Sequence, residues 1–515
     1  MARWWSRGRG RNLREPVKDT PHRGLITIAV MLASVLQSLD ITIANVALPH
    51  IRGSMSATLE QMGWVLTSYI VAAAIMTPLS GWLATRVGRK KVLVISVAGF
   101  TLASALCGMA QSLPQLVLFR LLQGLCGAAL VPLSQAVLLD INPPERHGRA
   151  TAIWAMGVLI GPIIGPALGG WLTDNYTWRW VFYINIPFGI LSVLGVSSFL
   201  HETSSRRTPF DFFGFATLSL FIGLLQIMLD RGPLQDWFGS TEIWLEALGA
   251  ALALYLFVVH TLTARHPFVS PALFRDRNFS LGSLYIFIIG VVLFGCLALL
   301  PPLLQDLMGY PVTTTGLVTS PRGLGAFLTM ALVARLVGRV DVRLLIGGGL
   351  CATAASLWMM CGFSPQMDAH LVIWSGFLQG IGTGFAYVPL AAVSFATLAP
   401  EYRYEGTAMF NLLRNVGSSI GIGIMQALLT RNTQLMHASL AAHVSAFGAR
   451  GVAPYDLSTS HGLAALNAAV TRQAQMIAYN DDFKLLLVLT LVMLPLVLML
   501  RSASPRPAVA TLIPE

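Results

Sequence analysis

Fourteen apolar stretches follow one another along this chain of 515 residues, separated by short polar segments. A helix needs about 20 consecutive apolar residues to cross the hydrocarbon core of a bilayer. The pattern therefore predicts an all-α integral membrane protein with fourteen transmembrane helices. The predicted spans are residues 25–47, 63–84, 92–112, 114–139, 150–172, 179–200, 212–230, 243–262, 279–304, 314–338, 343–362, 371–396, 406–430 and 483–500.

An internal repeat divides these spans into two sets. Residues 122–124 (Leu-Gln-Gly) and 131–133 (Val-Pro-Leu) recur as 378–380 and 388–390, at offsets of 256 and 257 residues. Parallel repeats of this kind are a known transporter architecture, with a site between the two halves. We expect two similar six-helix halves with two extra central helices between them. The alternative is chance similarity among helices rich in Leu, Gly and Pro.

The repeat gives the domain organisation. It places a basic cytoplasmic tail at 1–24, an N-terminal six-helix half at 25–200, two extra transmembrane helices at 201–265, a C-terminal six-helix half at 279–500 and a cytoplasmic tail at 501–515. The C-terminal half contains an external loop at 431–482, which is either a solvated connector or a segment that forms short amphipathic helices for a partner.

Composition and charge agree with a membrane protein. Apolar residues make up 55% of the chain and charged residues 11%. With the N-terminus inside, 24 of the 34 Lys and Arg residues fall in cytoplasmic segments, which places both termini in the cytoplasm. The net charge of +11 then indicates contact with anionic membrane lipid, and no nucleic-acid partner is needed to explain it.

Asp40 is a lone carboxylate about two thirds of the way along the first span. A charge near the centre of a membrane helix costs roughly 2.5–3.5 kcal/mol, so we expect Asp40 to face the bundle interior or a watery cavity. Movement between an apolar environment and one beside a guanidinium changes the proton affinity of a carboxylate. Asp40 is therefore predicted to bind and release a proton, and the alternative is a static ion pair.

Three arginines lie well inside predicted spans, away from the span ends. Arg120 precedes Gln123 by three residues, so both share one helix face, where they can contact Asp40 or backbone carbonyls. Arg322 either pairs inside the bundle or extends toward the external surface. Arg414 has no basic counterpart in the first half, so its expected role in substrate contact or coupling is specific to the second half.

The fifth span carries two Gly-Pro pairs four residues apart. They are Gly161-Pro162 and Gly165-Pro166, and Gly157 continues the glycine stripe one turn earlier. Glycines at this spacing let another helix pack closely, and each proline removes a backbone hydrogen bond. The sequence predicts a kinked hinge helix, with plain small-residue packing as the alternative.

The loop between the second and third spans is rich in glycine and cations. It contains Gly81, Arg86, Gly88 and Arg89. Cations at a helix C-terminus can bind carbonyls, acidic groups of the other half or lipid phosphates. We predict a gating loop, whereas charges that only set the topology are the alternative.

Together, residues 39–49, 81–91, 120–124, 157–170 and 178–187 resemble the major facilitator superfamily. Within it they resemble the fourteen-span drug:proton antiporter family that includes EmrB-like and QacA-like exporters. The resemblance covers residues 25–500 and implies the major facilitator fold. The gating loop departs from the family pattern at Thr85, where an acidic residue is usual, so Arg86 and Arg89 must find other acceptors.

The resemblance implies particular sites and partners. It implies proton coupling at Asp40 with Arg120, no cofactor other than the proton gradient, no metal, and a place in the cytoplasmic (inner) membrane. A small lipophilic substrate is expected, together with a periplasmic adaptor and an outer-membrane channel that contact residues 431–482. The predicted substrate cavity contains Asn45, Gln123, Trp154, Tyr387, Phe410 and Arg414. Its aromatic members either stack on planar or cationic compounds or pack in the core.

The leading hypothesis is proton-driven efflux of lipophilic or amphipathic drugs by alternating access. The alternatives are a proton-linked carrier of one endogenous metabolite and a non-transporting membrane receptor or scaffold. An enzyme is disfavoured, because residues 417–421 and 380–384 imitate a nucleophile elbow and a phosphate loop but lie inside apolar helices.

Overall fold

The computed structural model describes residues 22–57, 59–143, 146–202, 209–399, 402–443 and 459–500, so most of both predicted tails lies outside the described residues. Regular secondary structure in these ranges is helical. The helices are α1 (Arg23–Met55), α2 (Leu59–Val87), α3 (Arg89–Met109), α4 (Leu113–Gly127), α5 (Leu130–Ile141), α6 (His147–Asn175), α7 (Trp180–Tyr183), α8 (Asn185–Phe199), α9 (Phe212–Arg231), α10 (Thr241–Thr263), α11 (Ala272–Arg275), α12 (Arg277–Pro302), α13 (Val312–Thr319), α14 (Pro321–Leu336), α15 (Val342–Met360), α16 (Ala369–Ala396), α17 (Arg403–Ala442) and α18 (Ser460–Leu496).

The predicted membrane fold is confirmed. Thirteen spans in the described ranges are long and apolar enough to cross a bilayer, and the 29-residue helix α6 brings the total to about fourteen. Some spans contain two helices; α4 and α5, for example, join at Ala128 and Ala129 to form one span from Leu113 to Ile141.

Glycines bring α6 against α1 at very short range. A methyl group added at Gly161 would lie 2.7 Å from the Leu39 nitrogen, and one at Gly165 would lie 2.2 Å from the Thr42 hydroxyl oxygen. Because atoms cannot approach so closely, these positions require glycine. The predicted close packing is therefore present, while the side chains of Pro162 and Pro166 lie outside the described residues.

The second half repeats this contact between α12 and α17. A methyl group added at Gly417 would lie 2.2 Å from the Phe287 carbonyl oxygen, and one at Gly421 would lie 2.4 Å from the Val291 carbonyl oxygen. The offset of 256 that relates Gly161 to Gly417 in the sequence therefore also relates two equivalent helix contacts in space.

The first extra helix, α9, lies against both halves. On one side the Thr67 hydroxyl of α2 donates to the Asp230 carboxylate at 2.7 Å. On the other, the Ser419 hydroxyl of α17 donates to Gln226 at 2.7 Å, and Gln226 also donates to Asp230 at 3.2 Å. The second extra helix, α10, packs on α9 and buries little of its own surface.

The described parts of the predicted loop 431–482 are largely helical. Helix α17 continues to Ala442 and α18 begins at Ser460. At 1.5 Å per residue, the 40 residues of α17 extend about 60 Å, well beyond the roughly 30 Å of hydrocarbon. The two extensions run beside each other, since the His437 imidazole lies 3.0 Å from the Asn467 amide oxygen.

Candidate functional site

Asp40 lies in α1 with no solvent exposure and is held by three side chains from two other spans. Its Oδ2 accepts a bond from the Arg120 guanidinium at 2.6 Å. Its Oδ1 accepts bonds from the Gln123 amide at 2.8 Å and from the Asn185 amide at 2.9 Å. A buried ion pair needs such additional hydrogen bonds, because both charges have lost their water.

Arg120 joins three helices around this carboxylate. Its Nε donates to the Val65 carbonyl of α2 at 3.2 Å, and its guanidinium lies 4.4 Å from the centre of the Tyr69 ring. The close approach of α4 to α2 depends on Gly124, where an added methyl group would lie 2.4 Å from the Tyr69 carbonyl oxygen. The spacing of Arg120 and Gln123 along one helix turn lets both reach Asp40.

Asn185 and Ser104 complete the site, and neither was assigned a role from the sequence. Asn185 donates to Ser104 at 2.9 Å as well as to Asp40, and Ser104 donates to the Phe182 carbonyl at 2.9 Å. The only signal was the position of Asn185 within residues 178–187, which belong to the family resemblance. Neutral polar residues are common in membrane helices, so nothing else distinguished these two.

A second polar cluster joins the two halves at the end of the bundle where α2 runs into α3, here called the α2–α3 end. Asp140, at the end of α5, accepts from Arg89 of α3 at 2.8 Å and from Arg403 of α17 at 2.9 Å. The Tyr404 hydroxyl also donates to Asp140, and Arg89 donates to the Tyr404 hydroxyl oxygen at 3.0 Å. Asp140 thus supplies the acceptor that Thr85 does not.

The other predicted gating residues surround this cluster. An added methyl group at Gly81 would lie 3.1 Å from the Glu405 backbone, so α2 and α17 touch there. Gly88 has φ +104°, a conformation that favours glycine and lets α3 begin directly after α2. Arg86 lies over the Trp82 ring at 5.0 Å, and the Thr85 hydroxyl bonds to its own helix at the Gly81 carbonyl.

Two residues assigned to the substrate cavity are buried in this structure. Trp154 is 1% exposed and donates to the Ser34 hydroxyl at 3.0 Å. Phe410 is fully buried and packs edge-to-face against Phe395, with ring centres 5.2 Å apart. Gln123 belongs to the Asp40 cluster, as described above.

All the cavity assignments stay predictions. Arg414 is half-buried and lies 3.4 Å from the Tyr387 hydroxyl, which places both at one point between α17 and α16. The side chain of Asn45 lies outside the described residues, although its backbone belongs to α1. Within the described ranges, no group of three His, Cys, Asp or Glu side chains is arranged to hold a metal.

A duplicated bundle of about fourteen membrane helices, with a buried ion pair in one half and an ionic contact between halves, defines a polytopic membrane transporter. Residues 30–422 match the family model described as Major Facilitator Superfamily. The chain belongs to this superfamily and, within it, to the EmrB-like transporters, as the sequence predicted.

Relatives cover almost the whole chain. The chain is 38% identical over 482 residues to "Multidrug export protein EmrB" of Escherichia coli, covering 92% of this chain and 94% of the relative. It is 36% identical over 480 residues to "Fatty acid resistance protein FarB" of Neisseria gonorrhoeae, covering 92% and 95%.

Solved structures share the fold at low sequence identity. The human organic anion transporter MFSD10 (TETRAN) matches with a TM-score of 0.59 and 15% identity, covering 91% of this chain and all of that chain. The proton:xylose symporter XylE matches with a TM-score of 0.59 and 13% identity, covering 93% and 96%. At this identity the likeness concerns the fold alone.

Proposed function

We propose that the chain exports lipophilic or amphipathic compounds across the cytoplasmic membrane in exchange for protons, by alternating access. The observation that carries this proposal is the position of Asp40, a carboxylate with no exposure that contacts a guanidinium and two amides from other spans. Ionisable groups inside membrane bundles mark ion or proton pathways far more often than they serve as structural supports.

Protonation of Asp40 removes one charge of a buried pair. The Arg120 guanidinium then loses its counter-ion and must find new acceptors or water. Because Arg120 also donates to the Val65 carbonyl, the change reaches α2, a helix of the N-terminal half that contacts α17 at Gly81. Proton binding at Asp40 thereby alters a helix that lies on the boundary between halves.

The orientation predicted from the charge distribution places the α2–α3 end in the cytoplasm. The contacts of Asp140 with Arg403 and Tyr404 then close the cytoplasmic side. Deeper in the bundle, Asn411 of α17 donates to Gln135 of α5 at 3.1 Å, which continues the contact between halves. Opening toward the cytoplasm requires these bonds to break, and loading of substrate from that side follows.

The proton gradient supplies the energy. Each elementary charge that crosses the full potential contributes about 2.3 kcal/mol per 100 mV, which corresponds to roughly 50-fold accumulation. A periplasmic adaptor and an outer-membrane channel belong to the proposal as partners, with the projecting ends of α17 and α18 as the contact. The similarity to a multidrug export protein supports the export of several drugs.

The test uses inside-out membrane vesicles, a proton gradient and a cationic fluorescent dye. Wild-type vesicles should accumulate the dye until an uncoupler is added, whereas Asp40→Asn should leave only passive equilibration. Asp481→Asn removes a carboxylate that pairs with Lys484 at the surface and serves as the matched control. Full uphill accumulation by Asp40→Asn would show that the coupling site lies elsewhere, and failure of unrelated dyes to compete would favour a carrier of one metabolite.

A further inference from the structure

Arg322 is a buried cation that lacks a carboxylate partner among the described residues. It lies in α14 with 9% exposure, and its Nη2 contacts only the Cys296 thiol of α12, at 3.6 Å. Its Nε is fully buried and makes no hydrogen bond. A buried guanidinium that has neither a counter-ion nor a full set of acceptors is costly, so this position favours an anion.

A second unsatisfied donor lies in the same cluster. Gln379 of α16 is 1% exposed, and its amide oxygen lies 3.6 Å from the Cys296 sulfur that Arg322 also contacts. Its amide nitrogen is buried without an acceptor. The side chains of Arg322 and Gln379 therefore meet at one thiol, and each keeps one unsatisfied nitrogen donor.

Gln379 forms part of the wall of a small cavity between α12, α15, α16 and α18. The cavity has a volume of about 30 Å³, and Thr353 and Thr383 contribute further polar groups to its wall. This is room for about two water-sized groups, which is the scale of a carboxylate head. Ile288, Val292 and Leu350 make much of the remaining wall apolar.

The internal duplication shows what this cluster lacks. Gln379 is the counterpart of Gln123 at the offset of 256, and Gln123 bonds to Asp40. Gly165 contacts Thr42, and its counterpart Gly421 contacts Val291. Thr42 and Val291 therefore occupy equivalent positions in α1 and α12.

By the same alignment, Ile289, which lines the cavity, is the counterpart of Asp40 in the first half. The first half therefore contains an arginine, a glutamine and a carboxylate. In the second half Gly376 stands at the offset of 256 from Arg120, and the arginine comes from α14 instead. Gln379 shares the cavity wall with the isoleucine. The second half therefore has no carboxylate at the position equivalent to Asp40.

We propose that Arg322 and Gln379 bind the carboxylate of an anionic amphiphile, whose charge takes the place that Asp40 occupies in the first half. This inference rests on the proposed export function and names one substrate class for it. The apolar wall of the cavity receives the first methylene groups of the ligand, while the longer part of the chain extends out of this small cavity.

The test measures binding to the purified full-length protein in lipid nanodiscs by calorimetric titration. The probes are dodecanoate, dodecanol and dodecyltrimethylammonium, which share a chain and differ in head charge. Arg322→Gln should weaken dodecanoate binding by about tenfold or more, as expected for a lost charge-assisted hydrogen bond, and leave the other two probes unchanged. Arg335→Gln, on the exposed surface of the same helix, is the matched control and should change none of them.

A second variant tests the site without removing the arginine. Ile289→Asp supplies the missing carboxylate, so it should neutralise Arg322 internally and abolish dodecanoate binding. Unchanged dodecanoate affinity in both Arg322→Gln and Ile289→Asp would overturn the proposal. Acetate that binds as tightly as dodecanoate would also overturn it, because the site would then hold a free small anion.

The binding measurement is independent of proton coupling. It needs no proton gradient, and the cationic dye of the export test carries no carboxylate for Arg322 to bind. If the wild type shows no coupled dye export, the proposed function is refuted and the binding result still stands. If the wild type does not prefer dodecanoate over the other two probes, only the proposed anion site is refuted.

Discussion

The carboxylate of Asp140 lies 2.9 Å from the guanidinium of Arg403, so an ion pair joins the first half of the chain to the second at the α2–α3 end. The same carboxylate accepts from Arg89 within its own half. The side chains of Asp140 and Arg403 are each more than four fifths buried, which protects the pair from the screening that weakens exposed ion pairs.

Asp140→Asn should open this end of the protein more often. A charge-assisted hydrogen bond contributes about 1.5–3 kcal/mol, so its loss shifts the balance between closed and open states by about tenfold or more. The readout is the labelling rate of Asn411→Cys by a membrane-impermeant maleimide in inside-out vesicles. The background without Asn411→Cys corrects for the native cysteines.

Exchanging the charges of Asp140 and Arg403 tests whether attraction between opposite charges, rather than polarity alone, holds this end closed. Asp140→Arg combined with Arg403→Asp should restore part of the slow labelling lost in Asp140→Asn, although Arg89 would then face a cation. If Asp140→Asn labels at the wild-type rate, this contact does not hold the end closed.

Gly161→Ala should disrupt the packing of α6 on α1. The added methyl group would lie 2.7 Å from the Leu39 nitrogen, and overpacking of this kind costs about 1–3 kcal/mol. We expect a lower thermal transition in detergent and reduced transport. Gly347→Ala in α15 meets no atom within 4 Å and should be neutral or slightly stabilising, as alanine is the better helix former. Equal stability of the two variants would contradict the close-packing account.

Asp211 should anchor the extra helices. It caps α9 by accepting from the Gly214 nitrogen at 2.9 Å, and it also accepts from His260 of α10 at 2.8 Å and from the Phe268 nitrogen at 2.9 Å. Removal of the side chain in Asp211→Ala should lower the free energy of unfolding by about 1–3 kcal/mol. Thermal unfolding followed by tryptophan fluorescence measures this loss, and an unchanged transition would show that the contacts are not stabilising.

The same residue predicts a dependence on pH. Burial alone raises the pKa of Asp211, but the hydrogen bonds from Gly214, His260 and Phe268 outweigh it and hold the pKa below its usual value. A depressed pKa means that the stabilisation is complete above the unfolded-state pKa of about 3.9 and is lost as the pH falls through the folded-state value. The stability difference between wild type and Asp211→Ala should therefore narrow in strong acid.

The sequence predicted those features that depend on local chemistry. Long apolar runs indicate membrane helices wherever they occur, and a charge such as Asp40 is conspicuous because hydrocarbon makes it costly. Gly161 and Gly165 indicated close packing, because a stripe of glycines leaves no side chain between two helices.

Features that depend on distant partners could not be predicted. Asp140 directly follows the predicted span 114–139, where hydrocarbon no longer makes a charge costly, and only the folded chain brings it to Arg403. Asn185 is neutral and so carries no comparable cost. The sequence left residues 431–482 as either a connector or short amphipathic helices, because their polar composition fits both. It did not predict that α17 runs on to Ala442.

The most direct test of the account measures proton movement in liposomes that contain the purified protein and a pH-sensitive dye. Addition of a transported cationic compound to the wild-type protein should release protons from an acidic lumen. Asp40→Asn should bind the compound with similar affinity but release none, because the buried carboxylate is the proposed proton carrier. Proton release by Asp40→Asn at the wild-type rate would contradict the central claim.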